Sequence, residues 1–433
     1  MTTERPPTSE IPLPITGAIP VIRDWEEEAP PAPPPSTRWW IGMVAAGSVL
    51  TAMTFPGQTA GLSPFTDPLI SELDIDRTSI SLSYLIATLI GATAMPLVGR
   101  LMDNYGQKRT ILWIGAVLSL VLIGASFIVE IIGLTASYVG LRMVGQGALT
   151  LAATTVVARA VTHRPGLALG IVGAVGSAGI SLAPVGIEYL ITLTDIQTVW
   201  RIEAALVLLI VLPVTLALPH DAPARTATGS LIVTKREPGY RVGEAMRTGM
   251  FWVITVAGFA IGMLATGLAF HLISILGAQG MTPSEAAANF IPQTIAALIA
   301  TLGLGAIVDR IDPRLGVVSS MLFLSASLVY LPFVNSWLSG IGFGILLGAA
   351  MGSLRGVEAA AFVRFFGRGH IGAIRGISTA FSLASTSLGP LYFALGLEWT
   401  GSYIAPSAIG AVLPAVVAIF ALFVRPPAPT TTL

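Results

Sequence analysis

The chain has 433 residues, of which 54% are hydrophobic and only 11% are charged, and its mean hydropathy is +0.80. So few polar side chains cannot coat a globule of this length, which excludes a soluble protein. The 23 basic and 23 acidic residues balance and leave no basic footprint for nucleic acid, and the absence of cysteine excludes disulfides, thiolate metal sites and cysteine nucleophiles.

The first 37 residues are rich in proline, carry an acidic run and lack the apolar core of a signal peptide, which predicts a disordered tail. After this tail, long apolar stretches alternate with short charged loops. Because a membrane-spanning helix needs about 20 apolar residues, the chain is predicted to be an all-α integral membrane protein with twelve transmembrane helices. The predicted spans are 39–62, 78–98, 110–129, 134–158, 166–188, 201–218, 250–276, 285–308, 315–334, 337–362, 372–395 and 403–424.

A charged segment in the middle of the chain divides these spans into two sets of six. The predicted domains are a disordered cytoplasmic tail at 1–37, a six-helix bundle at 38–218, a cytoplasmic linker at 219–249, a second six-helix bundle at 250–425 and a C-terminal tail at 426–433. Basic loop residues fall on the side of the linker, whereas only Arg77 and Arg201 lie at the other ends of the helices. The positive-inside rule therefore predicts that both termini are cytoplasmic.

An internal repeat supports the division into two halves. A shift of 206 residues aligns Gly99 with Gly305 and Asp103 with Asp309. The same shift also aligns Gly166 with Gly372, Gly170 with Gly376, Ser181 with Ser387, Leu182 with Leu388 and Pro184 with Pro390. One offset without a gap predicts a duplication of six helices, and hence two pseudo-symmetric bundles.

The loop after the second span reads GRLMDNYGQKR and begins at Gly99. Its pattern resembles the signature of the major facilitator superfamily, although Asn104 and Gln107 stand where that family usually has basic residues. The resemblance implies the major facilitator fold and a cytoplasmic gate built on this loop and on its second copy, GAIVDRIDPR, which departs in having Asp312 where a glycine would be. The gate residues so implied are Gly99, Asp103, Gly106, Lys108, Arg109, Arg159, Gly305 and Asp309.

Further stretches resemble the bacterial relatives of the monocarboxylate transporters. They are DRTSISLSYLIATLIGATAMPLVGRLMD from Asp76, RPGLALGI from Arg164, VRFFGRGHIGAIRGIS from Val363 and LGPLYFALGLEWTGSY from Leu388. The resemblance implies a small monocarboxylate as substrate. The charged residues that the animal carriers and the oxalate and formate exchangers use in their eighth and eleventh helices are absent, so other side chains must bind an anion here.

Ionisable residues at membrane depth are the remaining candidates, because each is expensive to bury there. Arg142 lies in the fourth span with Gln146 one turn later, and together they could bind an anionic substrate. The alternative for Arg142 is pairing with helix carbonyls or with a carboxylate of a neighbouring span. Arg355 lies in the tenth span beside Glu358, which is the candidate for proton coupling unless the two form an intrahelical pair.

Other polar residues of the spans are weaker candidates for the same cavity. His271 of the seventh span could titrate near neutral pH or could simply be hydrogen-bonded. Gln58 and Gln293 are substrate-binding candidates, with Asn289 beside Gln293. Three acidic residues lie near the helix ends opposite the basic loops, where hydration at the membrane interface is expected to stabilise their charge: Glu130, Glu188 and Glu203.

No motif of a metalloprotease, serine hydrolase or nucleotide-binding loop is present in the sequence, so we expect no enzyme, no metal and no cofactor. The sequence predicts a secondary transporter of the cell (inner) membrane that works by alternating access as a functional monomer, with a small anionic substrate and protons as its partners in the bilayer. Two alternatives remain open. One is a proton-driven multidrug or cation exporter of the same fold, and the other is a membrane sensor or scaffold that transports nothing.

Overall fold

The computed structural model describes residues 36–93, 95–161, 164–218, 239–307, 310, 312–367 and 370–427. Long helices dominate this part of the chain, and we number the helices that correspond to the predicted spans α1 to α12. Their bounds are α1 Thr37–Ala52, α2 Arg77–Thr93, α3 Gln107–Ala125, α4 Ile131–Ala160, α5 Pro165–Leu193, α6 Ile196–Ala217, α7 Gly249–Phe270, α8 Pro283–Ile307, α9 Pro313–Tyr330, α10 Trp337–Phe366, α11 Ile371–Thr400 and α12 Ile404–Phe423.

By length and composition, eleven helical stretches of the described chain could cross a membrane. The predicted second span is described in two pieces on either side of residue 94, namely α2 and the helix Met95–Tyr105. The described residues form no β-strand. The prediction of an all-α integral membrane fold is therefore confirmed. The predicted N-terminal tail and most of the predicted linker lie outside the described residues.

Polar side chains set where several helices begin, because the first backbone N–H groups of a helix need acceptors. Asp195 caps α6 by accepting from the Thr198 amide at 2.7 Å. Thr282 and Glu285 form a reciprocal capping box at the start of α8, with Glu285 accepting from the Thr282 amide at 2.9 Å. These capping residues place the starts of α6 and α8 before the apolar runs from which the spans were predicted.

The fifth and sixth spans are both longer than predicted, and the start of α6 is set by its Asp195 cap. The fifth was predicted to end at 188 and the sixth to begin at 201, but α5 continues to Leu193 and α6 begins at Ile196. The first span differs in the opposite sense, because α1 ends at Ala52 and a 3-10 turn follows at Phe55–Gly57. Pro56 within that turn has no N–H to continue the α-helix.

The described helices build two hydrophobic cores. One contains buried residues between 43 and 218, and the other buried residues between 245 and 421. The offset of 206 recurs in the helix bounds, since α4 and α10 start at Ile131 and Trp337 and end at Ala160 and Phe366. We refer to α1–α6 as the N half and to α7–α12 as the C half. The halves meet where α2 packs on α11 and α5 packs on α8.

The contacts between the halves are unevenly distributed along the bundle. We call the end that carries the turns before α3 and α5 the basic end, after its loop residues, and the opposite end the far end. Side-chain hydrogen bonds between described residues of the two halves lie at the far end, and deeper in the bundle Ser181 bonds Thr294. The far end is therefore closed by polar contacts.

Candidate functional site

Arg142 occupies a π-helical segment of α4, Leu141–Leu149, and is only 3% exposed. Its Nε donates to the Thr88 hydroxyl of α2 at 3.1 Å. Its Nη1 donates to the Gly57 carbonyl at 3.1 Å and to the Thr59 hydroxyl at 3.4 Å. The guanidinium is thus held by the broken part of the first span and by α2, with no carboxylate among these partners.

An aromatic ring supports the same guanidinium. The Arg142 Cζ lies 4.6 Å from the centroid of the Tyr84 ring, and the Tyr84 hydroxyl is 2.6 Å from the Thr59 hydroxyl. A cation over an aromatic face is attracted by the ring quadrupole. Among the described residues, the buried Nη2 of Arg142 has no hydrogen-bond partner. This nitrogen keeps two N–H donors that suit a carboxylate or another small anion.

The backbone around Arg142 depends on close approach between the first span and α4. A Cβ built on Gly57 would lie 2.2 Å from the Leu141 carbonyl oxygen and 2.5 Å from the Gln146 backbone nitrogen. Only glycine allows this approach, which brings the Gly57 carbonyl to Arg142. Single turns of π-helix inside α-helices are frequent at functional sites, and α4 contains one at this contact.

The polar residues predicted beside Arg142 are held within their own halves. Gln146 is half-buried, and none of the hydrogen bonds between described residues joins its amide to Arg142. Gln58 donates to the Thr54 hydroxyl at 3.0 Å. Gln293 donates to Asn289 at 3.0 Å, and Asn289 donates to the Gly340 carbonyl of α10 at 2.6 Å. Their roles as substrate ligands remain predictions.

The arrangement of Arg355 and Glu358 in α10 differs from the intrahelical pair considered above. Arg355 is exposed, Glu358 is half-buried, and no ion pair within 4.0 Å joins these two described residues. The roles of Arg355 in substrate binding and of Glu358 in proton coupling remain predictions.

The interpretation of the acidic residues at the far end is corrected at two positions. Glu130 is exposed, as expected for interfacial hydration, but Glu188 is 7% and Glu203 only 3% exposed. Among the described residues neither carboxylate oxygen of Glu203 has a hydrogen-bond partner. The reason is the length of the helices: α6 begins at Ile196, so Glu203 lies about two turns inside it, and α5 extends beyond Glu188.

His271 lies where α7 ends and is fully buried. Its Nε2 is 3.0 Å from the Pro390 carbonyl oxygen of α11, which requires the proton to be on Nε2. Its Nδ1 then accepts from the Arg77 guanidinium at 3.5 Å. The structure places His271 between the two halves at the far end, and its role in substrate binding remains a prediction.

A cluster that we call the seam surrounds this histidine. Arg77 pairs with Asp67 at 2.5 Å in the N half and donates to Ser274 of the C half at 2.8 Å. Ser274 in turn donates to Asp67 at 2.7 Å. A cavity of about 640 Å³ opens beside these three residues. Sequence reasoning missed the seam, although Arg77 was one of only two basic residues assigned to this side.

Removing the charge of Asp67 is expected to loosen the seam. Because the chain has no cysteine, a single Ser81→Cys change supplies a probe at a buried position beside His271. In Asp67→Asn protein, we expect this thiol to react with an impermeant maleimide about fivefold faster, since Arg77 and Ser274 lose a charged partner.

Glu72→Gln is the matched control for this experiment. Glu72 lies on the same short helix, Thr66–Leu73, and its partner Gln197 belongs to the same half. The control should change the labelling rate by less than about twofold. Equal rates in both variants would show that Asp67 does not hold the halves together.

Of the predicted gate residues, Lys108 has the best-defined contacts. Its Nζ donates to the carbonyls of Leu216 and Leu218 at 2.7 and 3.1 Å, and so caps α6 within the N half. Gly106 has a φ of +83° at the start of α3, a conformation that favours glycine. The remaining predicted gate residues are Arg109, Arg159 and Gly305, which are exposed, Gly99 and Asp103, whose side chains lie outside the described part, and Asp309, which is not described.

The described helices thus form two hydrophobic cores that meet along α2, α5, α8 and α11, and a buried, partly unsatisfied arginine lies in the first of them. The sequence profile described as Major Facilitator Superfamily matches residues 44–292. The chain belongs to this superfamily, as the sequence motifs predicted. No curated protein sequence matches the chain.

Solved structures of transporters share the fold. A bacterial homolog of the human lysosomal transporter Spinster, in an inward-facing conformation, is 15% identical with a TM-score of 0.66, and the match covers 90% of this chain and 96% of that one. The nucleoside transporter NupG is 14% identical with a TM-score of 0.71, covering 88% of this chain and 98% of that one. At these identities the likeness concerns the fold alone.

Proposed function

We propose that this protein is a secondary active transporter that moves a small organic anion across the cell membrane by alternating access, with Arg142 as the principal anion ligand. The observation that carries the proposal is the buried guanidinium whose Nη2 has no hydrogen-bond partner among the described residues. A buried cation without a carboxylate partner favours an anionic ligand that completes its hydrogen bonds.

The contacts between the halves support alternating access. They join the halves at the far end through Arg77, Ser274 and Asp67. If the basic end is cytoplasmic, as the positive-inside rule predicts, this seam holds the outer ends of the two halves together. Rocking of the two halves about the site would then open the far end.

Within the superfamily, we assign the protein to the monocarboxylate-transporter-like branch, on the motifs of the sequence. A monocarboxylate suits the site because Arg142 presents one unsatisfied nitrogen, which matches one carboxylate group. Symport with a proton, a location in the inner membrane, cytoplasmic termini and function as a monomer belong to the same proposal.

Uptake into proteoliposomes tests the substrate class. Labelled lactate, pyruvate, oxalate, formate and a lipophilic cation are offered in turn, with and without an inward proton gradient. We expect one of the acids to accumulate, and to accumulate further when the gradient is imposed. Uptake of an acid that ignores the gradient would support the anion assignment and contradict proton coupling.

A proton-driven cation exporter is the second candidate, because two carboxyl groups favour it. Glu203 is buried with both oxygens unpartnered among the described residues, and Glu358 does not pair with Arg355. Exporters of cations require a buried carboxyl group that can exchange a proton for the substrate. Movement of the lipophilic cation alone in the same assay would select this candidate and contradict the anion proposal.

A further inference from the structure

Phe270 is a residue of the C half that is buried in the core of the N half. It is the last residue of α7, it is 0% exposed, and the apolar cluster that contains it otherwise consists of buried residues between 43 and 218. An aromatic side chain inserted across the boundary is costly to withdraw, because the surface it covers becomes exposed. It therefore links the position of α7 to the packing of the N half.

The partner of Phe270 is the tyrosine that supports Arg142. The Phe270 and Tyr84 rings are tilted with centroids 4.7 Å apart, and the Arg142 Cζ is 4.6 Å from the Tyr84 centroid. Thr59 bonds both the Tyr84 hydroxyl and Arg142. The Tyr84 ring therefore contacts both the phenylalanine and the arginine, and Phe270 restricts how far that ring can move.

The residues directly after α7 carry the seam. His271 follows Phe270 and accepts from Arg77, and Ser274 of the short helix Leu272–Ala278 bonds Arg77 and Asp67. When the far end opens, these bonds must break, and the end of α7 must move away from the N half. Phe270 must move with it, because it is covalently joined to His271.

We propose that Phe270 is a positioning residue of the anion site, supplied by the C half, so that the Arg142 site is complete only while the seam is closed. This inference rests on the proposed function. Anion binding at Arg142 and closure of the seam are then coupled. The anion binds more tightly to the form closed at the far end, and bound anion stabilises that closure by the same factor.

Phe270→Leu and Phe343→Leu form the matched pair that tests the inference. Both phenylalanines are 0% exposed, but Phe343 belongs to α10 and to the core of the C half. Equilibrium binding of labelled lactate, pyruvate, formate and oxalate to purified protein is measured for each variant, together with the KM and maximal rate of uptake. We expect Phe270→Leu to weaken binding and raise KM about fivefold, since the aromatic pair on Tyr84 is lost, with a smaller change in maximal rate.

The control Phe343→Leu should leave the affinity within about twofold, because Phe343 lies in the core of the C half. Equal affinities in the two variants would overturn the inference. An Arg142→Ala protein measured in parallel distinguishes failure of the proposed function from failure of the role of Phe270. If it binds anions like the unmodified protein, the proposed function fails; if it loses binding while the phenylalanine variants agree, only the role of Phe270 fails.

A second measurement keeps the inference testable if Phe270→Leu does not fold. The Thr78 hydroxyl donates to Glu398 across the far end at 2.7 Å. In Thr78→Cys/Glu398→Cys protein, a short bis-maleimide can bridge the two thiols and lock this end shut. We expect the bridged protein to stop transporting but to bind the anion at least as tightly as the unbridged one. Weaker binding after bridging would contradict the inference.

Discussion

Replacing Arg142 with alanine is expected to lower anion uptake about a hundredfold, without loss of the folded bundle. The change removes the donor to the Gly57 carbonyl and to the Thr88 and Thr59 hydroxyls, together with the unsatisfied Nη2. Truncating one partner of a buried, charge-assisted contact costs about 2–5 kcal/mol, a range from roughly 30-fold to several thousandfold in affinity that includes this loss. Initial rates of uptake into proteoliposomes, normalised to inserted protein, measure the effect.

Arg142→Lys distinguishes charge from geometry. Lysine keeps the positive charge but cannot present the planar fork that reaches Thr88 and Gly57 together, so we expect about a tenfold loss. Arg201→Ala is the control, because Arg201 is an exposed arginine of α6 that contacts Phe127 and Ser126 at the far end. It should transport within about twofold of the unmodified protein. Transport by Arg142→Ala at the level of this control would exclude Arg142 as the anion ligand.

Gly57→Ala is expected to destabilise the N half strongly. The new Cβ would meet the Leu141 carbonyl oxygen at 2.2 Å and the Gln146 nitrogen at 2.5 Å. Both are backbone atoms, so no side-chain rotation can relieve the contact, and the first span must move away from α4. Overpacking of this kind costs about 3 kcal/mol. It should also displace the Gly57 carbonyl from Arg142, so residual folded protein should transport poorly.

Denaturant-induced unfolding in detergent, followed by tryptophan fluorescence, measures this loss. Gly124→Ala in α3 is the matched control, because a Cβ there meets nothing within 4 Å. Replacing a helical glycine by alanine at an open position should raise stability by about 0.5–1 kcal/mol. If Gly57→Ala unfolded at the same denaturant concentration as the unmodified protein and transported normally, the close approach of the first span to α4 would not be required.

Several features of the fold were predictable because they depend on local composition. Apolar runs of about 20 residues bounded by charged loops define spans wherever they fold, so the all-α membrane fold could be derived from the sequence. The superfamily followed from the resemblance of the loop at Gly99, and the bounds of α4 and α10 agree with the offset of the repeat. Helix ends were less accurate, since α6 is extended by its Asp195 cap rather than by hydropathy.

The candidate site was predictable only in its central residue. Arg142 stood out because an arginine at membrane depth is rare in any sequence. Its supports did not stand out: Tyr84 and Thr88 are ordinary residues of an apolar span, and Gly57 is one of 46 glycines. The burial of Glu203 was missed for a related reason, because a helix that starts earlier moves the carboxylate inward.

The sequence by itself determined the all-α membrane fold, because transfer of a helix from water to the membrane depends on the residues of that helix alone. Only the tertiary structure decided which side chains meet. Arg77 and Ser274 bond each other across 197 residues of chain, and Phe270 reaches Tyr84 from the opposite half. Such pairs depend on how the helices pack, and the hydropathy of a helix does not indicate which other helix lies beside it.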